Sequence, residues 1–245
     1  MPGFRFFDGS RRAVLAAGGA LVVSAMLPSS FAQEAKRKIG IIGSGKIGGT
    51  VGRLWVKAGH PVMFASRHPE ELAGLVKEAG PSARAGTVAE AIAFGDVFLL
   101  AIPYGAVPQF GRDYAARLQA KIVLDADNAS AARDGPDLAA EVERDGIGVV
   151  SQRYLPGARL VRAFNTLSYR ILAHEANRPP PRLAIPIAGD DGEALKVAAG
   201  LVSDAGFDPV VVGSLQDARR IQRGNPGYGQ AVSAAELKQK LGLKP

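Results

Sequence analysis

Short continuous apolar runs alternate with amphipathic stretches from residue 36 onward. The apolar runs predict strands covered on both faces, and apolar positions three or four residues apart predict helices. Predicted strands are 38–42, 62–65, 96–102, 121–124, 159–164, 183–187 and 209–212, and predicted helices are 47–58, 69–79, 191–205 and 234–241. Thr87 and Glu90 have the spacing of a capping box, which predicts one more short helix. Strands separated by helices pair through right-handed crossovers, so the pattern predicts an α/β fold with a doubly wound, mainly parallel sheet.

The first 32 residues follow a different pattern. Arg11 and Arg12 precede an apolar stretch of about fourteen residues that ends near Met26, as in a twin-arginine signal peptide. Ser30 and Ala32 place small residues where a signal peptidase needs them, which predicts cleavage after Ala32. The stretch is shorter than the roughly 20 residues of a membrane-spanning helix, so a cleaved signal is favoured over an anchor. An uncleaved anchor and the ordinary secretory route stay open as alternatives.

This segment sets the expected organisation and location of the protein. We expect a signal peptide over 1–32, export by the twin-arginine machinery to the periplasm, and one domain over 33–245. The C-terminal tail of that domain is expected to start near residue 215, and no large second domain is expected.

Composition narrows the classes of function. The chain has 245 residues, of which 47% are hydrophobic, enough for one sizeable core. The absence of cysteine excludes disulfides, thiolate chemistry and cysteine metal sites, and three scattered histidines make a poor metal site. The net charge is +7, but no basic run is interleaved with aromatic residues, so nucleic-acid binding is not expected.

A G-x-G-x-x-G motif lies between the first predicted strand and the first predicted helix. Gly43 makes the turn, Gly45 lets the backbone approach a pyrophosphate, and Gly48 lets the helix pack on the strand. The unpaired N–H groups of the helix N-terminus then face the phosphates. In this setting the motif predicts a Rossmann fold that binds a dinucleotide. The residues expected at the cofactor are Gly43, Ser44, Gly45, Lys46, Ile47 and Gly48.

The end of the second predicted strand indicates which dinucleotide is bound. An acidic residue there would hydrogen-bond the ribose diol of NAD, but the chain has Ser66, Arg67 and His68. A hydroxyl and a guanidinium suit a 2′-phosphate, so NADP(H) is favoured. The alternative is that Arg67 only lies on a solvated surface.

Other polar residues give weaker signals. His60 is expected to be a surface or capping residue rather than a catalyst. Asp125, Asp127 and Asn128 follow the 121–124 strand at the edge where such sheets bind ligands. They either position a substrate or the nicotinamide ribose, or simply build a turn. Asp191 is expected to cap the following helix, and no catalytic dyad is evident.

Several segments, taken in order, resemble the NADPH-dependent reductases of the deazaflavin coenzyme F-420. They are 39–48, 64–68, 101–104, 155–158, 162–167 and 187–191. The resemblance implies that the glycine loop, Ser66 and Arg67 hold NADP. It also implies that rings are stacked for hydride transfer with little or no side-chain acid or base. In the family Ile102 and Pro103 would line the nicotinamide side of NADP, and the segment 165–167, with Asn165 and Leu167, would form the acceptor wall against which the deazaflavin ring lies. Tyr104, the last residue of the matching stretch 101–104, is also expected at the cofactor.

The expected function is therefore an NADP(H)-dependent oxidoreductase. A hydride would pass between NADPH and a deazaflavin, a flavin or a ferric chelate as second substrate. The alternative is an exported NADP-binding carrier or redox sensor without catalytic turnover. The chain after Leu215 lacks the helical extension that some family members use to dimerise, so the resemblance leaves a homodimer open.

Overall fold

The computed structural model describes residues 36–244, together with Met1 and Gly3. The predicted signal peptide and its cleavage site after Ala32 therefore lie outside the described residues, except for those two. From residue 36 onward the described chain belongs to one compact unit, 35–245. Within the described part, no helix is both long enough and apolar enough to cross a membrane.

Eight strands form one sheet in the described chain. They are β1 (Ile39–Ile42), β2 (Val62–Ala65), β3 (Ala83–Gly86), β4 (Val97–Leu100), β5 (Ile122–Asp125), β6 (Arg159–Arg162), β7 (Ala184–Gly189) and β8 (Asp208–Gly213). Their order is β3-β2-β1-β4-β5-β6-β7-β8, and every neighbouring pair is parallel except the antiparallel pair β6 and β7. This confirms the predicted doubly wound, mainly parallel sheet. The strand order reverses between β1 and β4, where such sheets open a crevice for ligands.

Ten α-helices connect and cover these strands. They are α1 (Lys46–Lys57), α2 (Ala73–Ala79), α3 (Val88–Phe94), α4 (Val107–Tyr114), α5 (Ala131–Asp134), α6 (Pro136–Asp145), α7 (Ile147–Tyr154), α8 (Tyr169–Glu175), α9 (Gly192–Asp204) and α10 (Ala234–Lys240), counted over the described residues. Short 3-10 turns occupy Pro69–Leu72, Tyr104–Ala106, Ala115–Leu118 and Asp217–Ile221.

The local signals in the sequence explain most of these elements. Thr87 caps α3 as a capping box: its hydroxyl accepts from the Glu90 N–H at 3.2 Å, and the Glu90 carboxylate accepts from the Thr87 N–H at 2.7 Å. The predicted 69–79 helix begins with a 3-10 turn at Pro69 and becomes α-helical only at Ala73. All seven predicted strands are present, and the structure adds β3 and the helices α4 to α8.

The sheet separates two apolar cores. One core packs around Trp55, whose indole N–H donates to the Leu201 carbonyl at 2.7 Å and whose ring meets Phe164 edge-on at 5.7 Å. The opposite face packs Phe98, Tyr104 and the residues of α4 and α7 against the sheet. Since both faces are covered, the strands carry continuous rather than alternating apolar residues.

The C-terminal tail folds back onto the sheet. Ala218, Ile221 and Leu237 pack against β7 and β8, on the face opposite the Trp55 core. The Ala184 N–H at the start of β7 donates to the Val232 carbonyl at 2.9 Å. The tail therefore covers the last two strands.

Candidate dinucleotide-binding site

The three motif glycines are needed for different physical reasons. Gly43 has a φ of +97°, and a Cβ on it would lie 2.4 Å from the Ala101 carbonyl oxygen. A Cβ on Gly48 would lie 2.1 Å from the Gly43 carbonyl oxygen, so α1 could not pack on β1. In contrast, a Cβ on Gly45 would meet no atom within 4 Å. Packing within the protein thus requires glycine at 43 and 48. At 45, only a bound ligand would require a glycine.

The N-terminus of α1 is open at the same place. Gly45 is its N-cap and provides no side-chain cap, and the first turn carries no acidic residue. The first N–H groups of this twelve-residue helix are therefore available to an anion, and the helix dipole favours one. The space that a side chain at 45 would fill is therefore open to a pyrophosphate.

The end of β2 lies beside this loop. The Ser44 hydroxyl donates to the Ala65 carbonyl at 3.0 Å, which ties the glycine loop to the last residue of β2. The Ser66 hydroxyl accepts from the His68 N–H at 3.1 Å and keeps its own proton for donation. Arg67 is exposed and makes no hydrogen bond or ion pair with the described residues, while the exposed His68 lies 3.5 Å from the Glu70 carboxylate. Ser66 and Arg67 are thus placed to receive a phosphate group.

A cleft of about 330 Å³ opens where β1, β4 and β5 end. It brings together four residues that the sequence predicted, Lys46, Ile47, Ile102 and Pro103, with four polar residues, Asp127, Asn128, Arg133 and Arg223. The cleft joins the N-terminus of α1 to the carboxyl edge of the sheet, the region where a dinucleotide lies across such folds.

A buried ionic cluster lies behind one wall of this cleft and reaches its lining at Asp127. Asp125 ends β5 and is in register with Arg162, which ends β6, and both side chains are fully buried and form an ion pair. Arg162 also donates to the backbone carbonyl of Asp127, and the Asp127 N–H donates to the Asp125 carboxylate at 2.9 Å. The guanidinium thus holds both the Asp125 carboxylate and the backbone that carries Asp127.

The carboxyl group of Asp127 is in an unusual environment. Burial is the main cause that raises its pKa well above the ordinary value, and the nearby charge of Asp125 raises it further. Arg162, the backbone N–H of Ile102 and Arg133 act in the opposite direction. Its Oδ2 atom is buried and has no hydrogen-bond partner among the described residues.

Three predicted residues from outside the glycine loop and the end of β2 lie away from the cleft lining. Tyr104 is fully buried, its hydroxyl lies 3.1 Å from the Ser151 hydroxyl, and burial raises its pKa. Leu167 packs in the Trp55 core. Asn165 is buried, and its amide donates to the Ile221 carbonyl at 3.1 Å, while its backbone carbonyl accepts from Asn128 at 2.7 Å. Asn165 therefore reaches the cleft only through Asn128.

The expectation that His60 lies at the surface is wrong. His60 is 2% exposed; its Nε2 lies 2.8 Å from the Asp204 carboxylate, and its Nδ1 accepts from the Arg37 N–H at 3.1 Å. The imidazole links the start of the described chain to the end of α9. Asp191 caps α9 as predicted, accepting from the Ala194 N–H at 2.9 Å.

Sequence reasoning missed the three arginines of the site. Arg133 and Arg223 lie in segments without clear periodicity, and nothing in the sequence places them at the cleft. Arg162 had a usable signal, because it is a charge inside the predicted apolar strand 159–164, and Asp125 directly follows the predicted strand 121–124. Within the described ranges, no group of three metal-ligating side chains comes together.

Comparison with known proteins agrees with this site. Residues 38–129 match the family model described as NADP oxidoreductase, coenzyme F420-dependent. The match confirms the predicted resemblance over a stretch that contains the glycine loop, Ser66, Arg67 and most of the cleft lining. NADP(H) binding and oxidoreductase chemistry are thus supported by the family match and by the fold.

Curated relatives match only in part. The chain is 28% identical to metalloreductase STEAP3 of Rattus norvegicus over 196 residues, which are 76% of this chain and 36% of the relative. It is 42% identical to protein YjhV of Escherichia coli K12 over 67 residues, which are 26% of this chain and 49% of that protein. The chain thus spans less than half the length of either relative.

Solved structures match over most of the chain. Protein SMa0349 of Sinorhizobium meliloti has a TM-score of 0.70 at 29% identity, covering 80% of this chain and 95% of that one. A candidate F420-dependent NADP reductase from Arthrobacter sp. FB24 has a TM-score of 0.64 at 24% identity, covering 75% and 87% of the two chains. The second likeness shows the fold.

Proposed function

We propose that this chain is an NADPH-dependent reductase that transfers a hydride from bound NADPH to a deazaflavin or flavin. The observation that carries the proposal is the space at Gly45. The fold does not need a glycine there, yet Gly45 is the N-cap of α1, provides no side-chain cap and leaves the first N–H groups of the helix accessible. A bound pyrophosphate explains both features at once.

The chain's own residues bind and orient in this proposal. The first N–H groups of α1 hold the pyrophosphate, and Ser66 and Arg67 hold the 2′-phosphate. Ile102 and Pro103 offer the apolar surface against which the nicotinamide ring rests. When bound, NADPH supplies the hydride. The protein contributes alignment of the two rings and exclusion of water.

The absence of a carboxylate among residues 66–68 supports NADPH rather than NADH. The nearest acid along the chain, Glu70, lies beside His68. A carboxylate at 66 or 67 would repel a 2′-phosphate, whereas the guanidinium of Arg67, which has no partner among the described residues, attracts one.

Electron counting favours a two-electron acceptor. A hydride carries two electrons, but a ferric ion accepts one, so a ferric chelate needs a mediator that takes both. Because the rat relative is named a metalloreductase, metal ions are also worth testing as acceptors. In this proposal a flavin or deazaflavin receives the hydride first, and any metal ion is reduced afterwards.

The test is a fluorescence titration of the full chain with NADPH and, in parallel, NADH. We expect preference for NADPH, and we expect Gly45→Ala to weaken NADPH binding at least about tenfold, or ~1.4 kcal/mol. The matched control is Gly200→Ala on the exposed side of α9, where a Cβ also meets nothing within 4 Å. Both variants should fold as the parent does, and the control should bind NADPH as the parent does.

Acceptors are then tested by following NADPH oxidation with a deazaflavin, with flavins and with ferric chelates. Binding without oxidation by any acceptor would favour the carrier or sensor function instead. Equal binding of NADPH by the parent and Gly45→Ala would contradict the proposed site. Failure of the parent to bind either dinucleotide would end the reductase proposal.

We also propose, from the sequence of residues 1–32, that the protein is exported by the twin-arginine machinery. Replacing both Arg11 and Arg12 by lysine should retain the protein in the cytoplasm, while the parent is found in the periplasmic fraction. Periplasmic recovery of both forms alike would point to the ordinary secretory route.

A further inference from the structure

The cleft carries one acidic side chain that the proposed hydride transfer does not use. Asp127 follows β5 and lines the cleft together with Ile102 and Pro103, the surface assigned to the nicotinamide. The backbone of Asp127 is fixed by Arg162 and Asp125. Among the described residues that line this cleft, no other is acidic.

The charges around Asp127 favour a neutral carboxyl group. Arg162 is the one buried cation of the cluster, and its ion pair is with Asp125. Arg133 is half-exposed and pairs with Asp134. The other cations of the cleft have aromatic partners: Lys46 lies over the Tyr169 ring at 5.3 Å and Arg223 over the Tyr228 ring at 5.5 Å.

The cluster thus holds two buried carboxyl groups and one buried guanidinium, which contacts the Asp125 carboxylate but only the backbone of Asp127. If both were ionised, the buried cluster would carry a net negative charge away from water, at a high cost in solvation energy. A proton on Asp127 removes that charge. The buried Oδ2 atom, without a partner in the described chain, is a position where such a proton can reside.

We propose that Asp127 is the general acid of this site and protonates the acceptor as the hydride arrives. This inference rests on the proposed function. The O–H bond of the carboxyl breaks, its electron pair stays on the carboxylate, and the proton bonds to a nitrogen or oxygen of the acceptor ring. Overall, NADPH, the acceptor and one proton give NADP⁺ and the reduced acceptor. Solvent reached through the cleft then reprotonates Asp127.

The same surroundings make the ionised product tolerable for a short time. Arg162 and Arg133 both act on Asp127 in the direction that stabilises its carboxylate. The group can therefore release its proton during the reaction and regain it afterwards, as a general acid must.

The first test needs neither NADPH nor an acceptor. The infrared spectrum of the parent at neutral pH should contain the carbonyl stretch of a protonated carboxylic acid, and Asp127→Asn should lack it. The matched control is Asp137→Asn, at an exposed position in the first turn of α6. This control should keep the band, because a solvated aspartate is ionised at neutral pH.

The second test separates proton donation from binding. With saturating NADPH and a deazaflavin or flavin, Asp127→Asn should slow hydride transfer by about 10²-fold or more at neutral pH. Its dissociation constant for NADPH should stay close to that of the parent. The parent rate should fall as pH rises and Asp127 ionises, whereas the variant rate should not follow that titration.

The outcomes distinguish the two proposals. Absence of the carboxylic acid band from the parent, or its persistence in Asp127→Asn, overturns the role of Asp127 alone. Weaker NADPH binding with an unchanged rate at saturation also overturns that role, because it makes Asp127 a binding group. Failure of the parent to bind NADPH overturns the proposed function itself.

Discussion

Replacing Arg162 by methionine should be far more damaging than replacing Arg159, three residues earlier on the same strand. Each arginine forms an ion pair with an aspartate, Arg162 with Asp125 and Arg159 with Asp191. The first pair is fully buried, whereas the side chains of the second are 33% and 38% exposed. Methionine keeps much of the length and apolar volume of arginine, so each substitution mainly removes the charge.

The magnitude follows from what the buried carboxylate can do once its partner is gone. Removing one member of a buried ion pair costs about 3–5 kcal/mol, because the remaining charge has neither water nor a counter-ion. Protonating an aspartate of ordinary acidity at pH 7 costs about 4 kcal/mol, at ~1.4 kcal/mol for each pH unit above its usual pKa of about 3.9. We therefore expect Arg162→Met to lose about 4 kcal/mol at pH 7. At pH 5 protonation is easier, and the expected loss falls to about 1.5 kcal/mol.

Urea unfolding followed by the fluorescence of Trp55, the single tryptophan of the chain, measures these losses. Domains of this kind have roughly 5–15 kcal/mol of stability, so Arg162→Met could unfold a marginal parent. The double variant Asp125→Asn with Arg162→Met covers that case, because it removes both charges and should be more stable than Arg162→Met alone. The reasoning is refuted if Arg162→Met costs no more than Arg159→Met at pH 7, or if its cost does not depend on pH.

Three further predictions use the same structure. Asp127→Asn should match the parent in its free energy of unfolding at acidic pH and exceed it as pH rises, because the raised pKa of Asp127 makes the parent lose stability on ionisation. Urea unfolding across pH measures the difference between the two free energies, and a difference that does not change with pH would contradict this prediction. Arg67→Glu should abolish or reverse the preference for NADPH without changing the melting temperature, and NADPH binding equal to the parent's would show that Arg67 is only a surface residue. Gly48→Ala should destabilise by about 1–3 kcal/mol in thermal unfolding, because its Cβ would lie 2.1 Å from the Gly43 carbonyl oxygen; a melting temperature equal to that of Gly45→Ala would contradict this.

The parts of the fold that could be predicted are those fixed by local chemistry. Strands β1 and β4 are continuous apolar runs, because both faces of the central sheet are covered. The edge strand β3 gives no such signal, since two of its four residues, Arg84 and Ala85, are exposed. Helix α4 was obscured by Pro108 and Gly111, which are poor helix formers, and α6 buries only Val142.

The candidate site divides in the same way. The glycine loop and the pair Ser66 and Arg67 can be predicted from short stretches of sequence. A tight turn and the end of a strand each favour particular residue types at adjacent positions. The pairing of Asp125 with Arg162 depends instead on the register between β5 and β6, which the sequence does not specify. The environment of Asp127 follows from that pairing, so it could be identified only when the strands were aligned.

The C-terminal tail is a longer segment whose part in the site depends on long-range contacts. From the sequence it was a short extension beginning near residue 215, with no assigned part in the site. In the structure its Ile221 carbonyl accepts from Asn165, its Gly229 N–H donates to the Thr166 carbonyl at 3.0 Å, and its Arg223 lines the cleft. The 165–167 segment, which the resemblance assigns to the acceptor wall, is thus held by the tail. A change in the tail that breaks these two hydrogen bonds should therefore affect acceptor binding more than it affects the glycine loop.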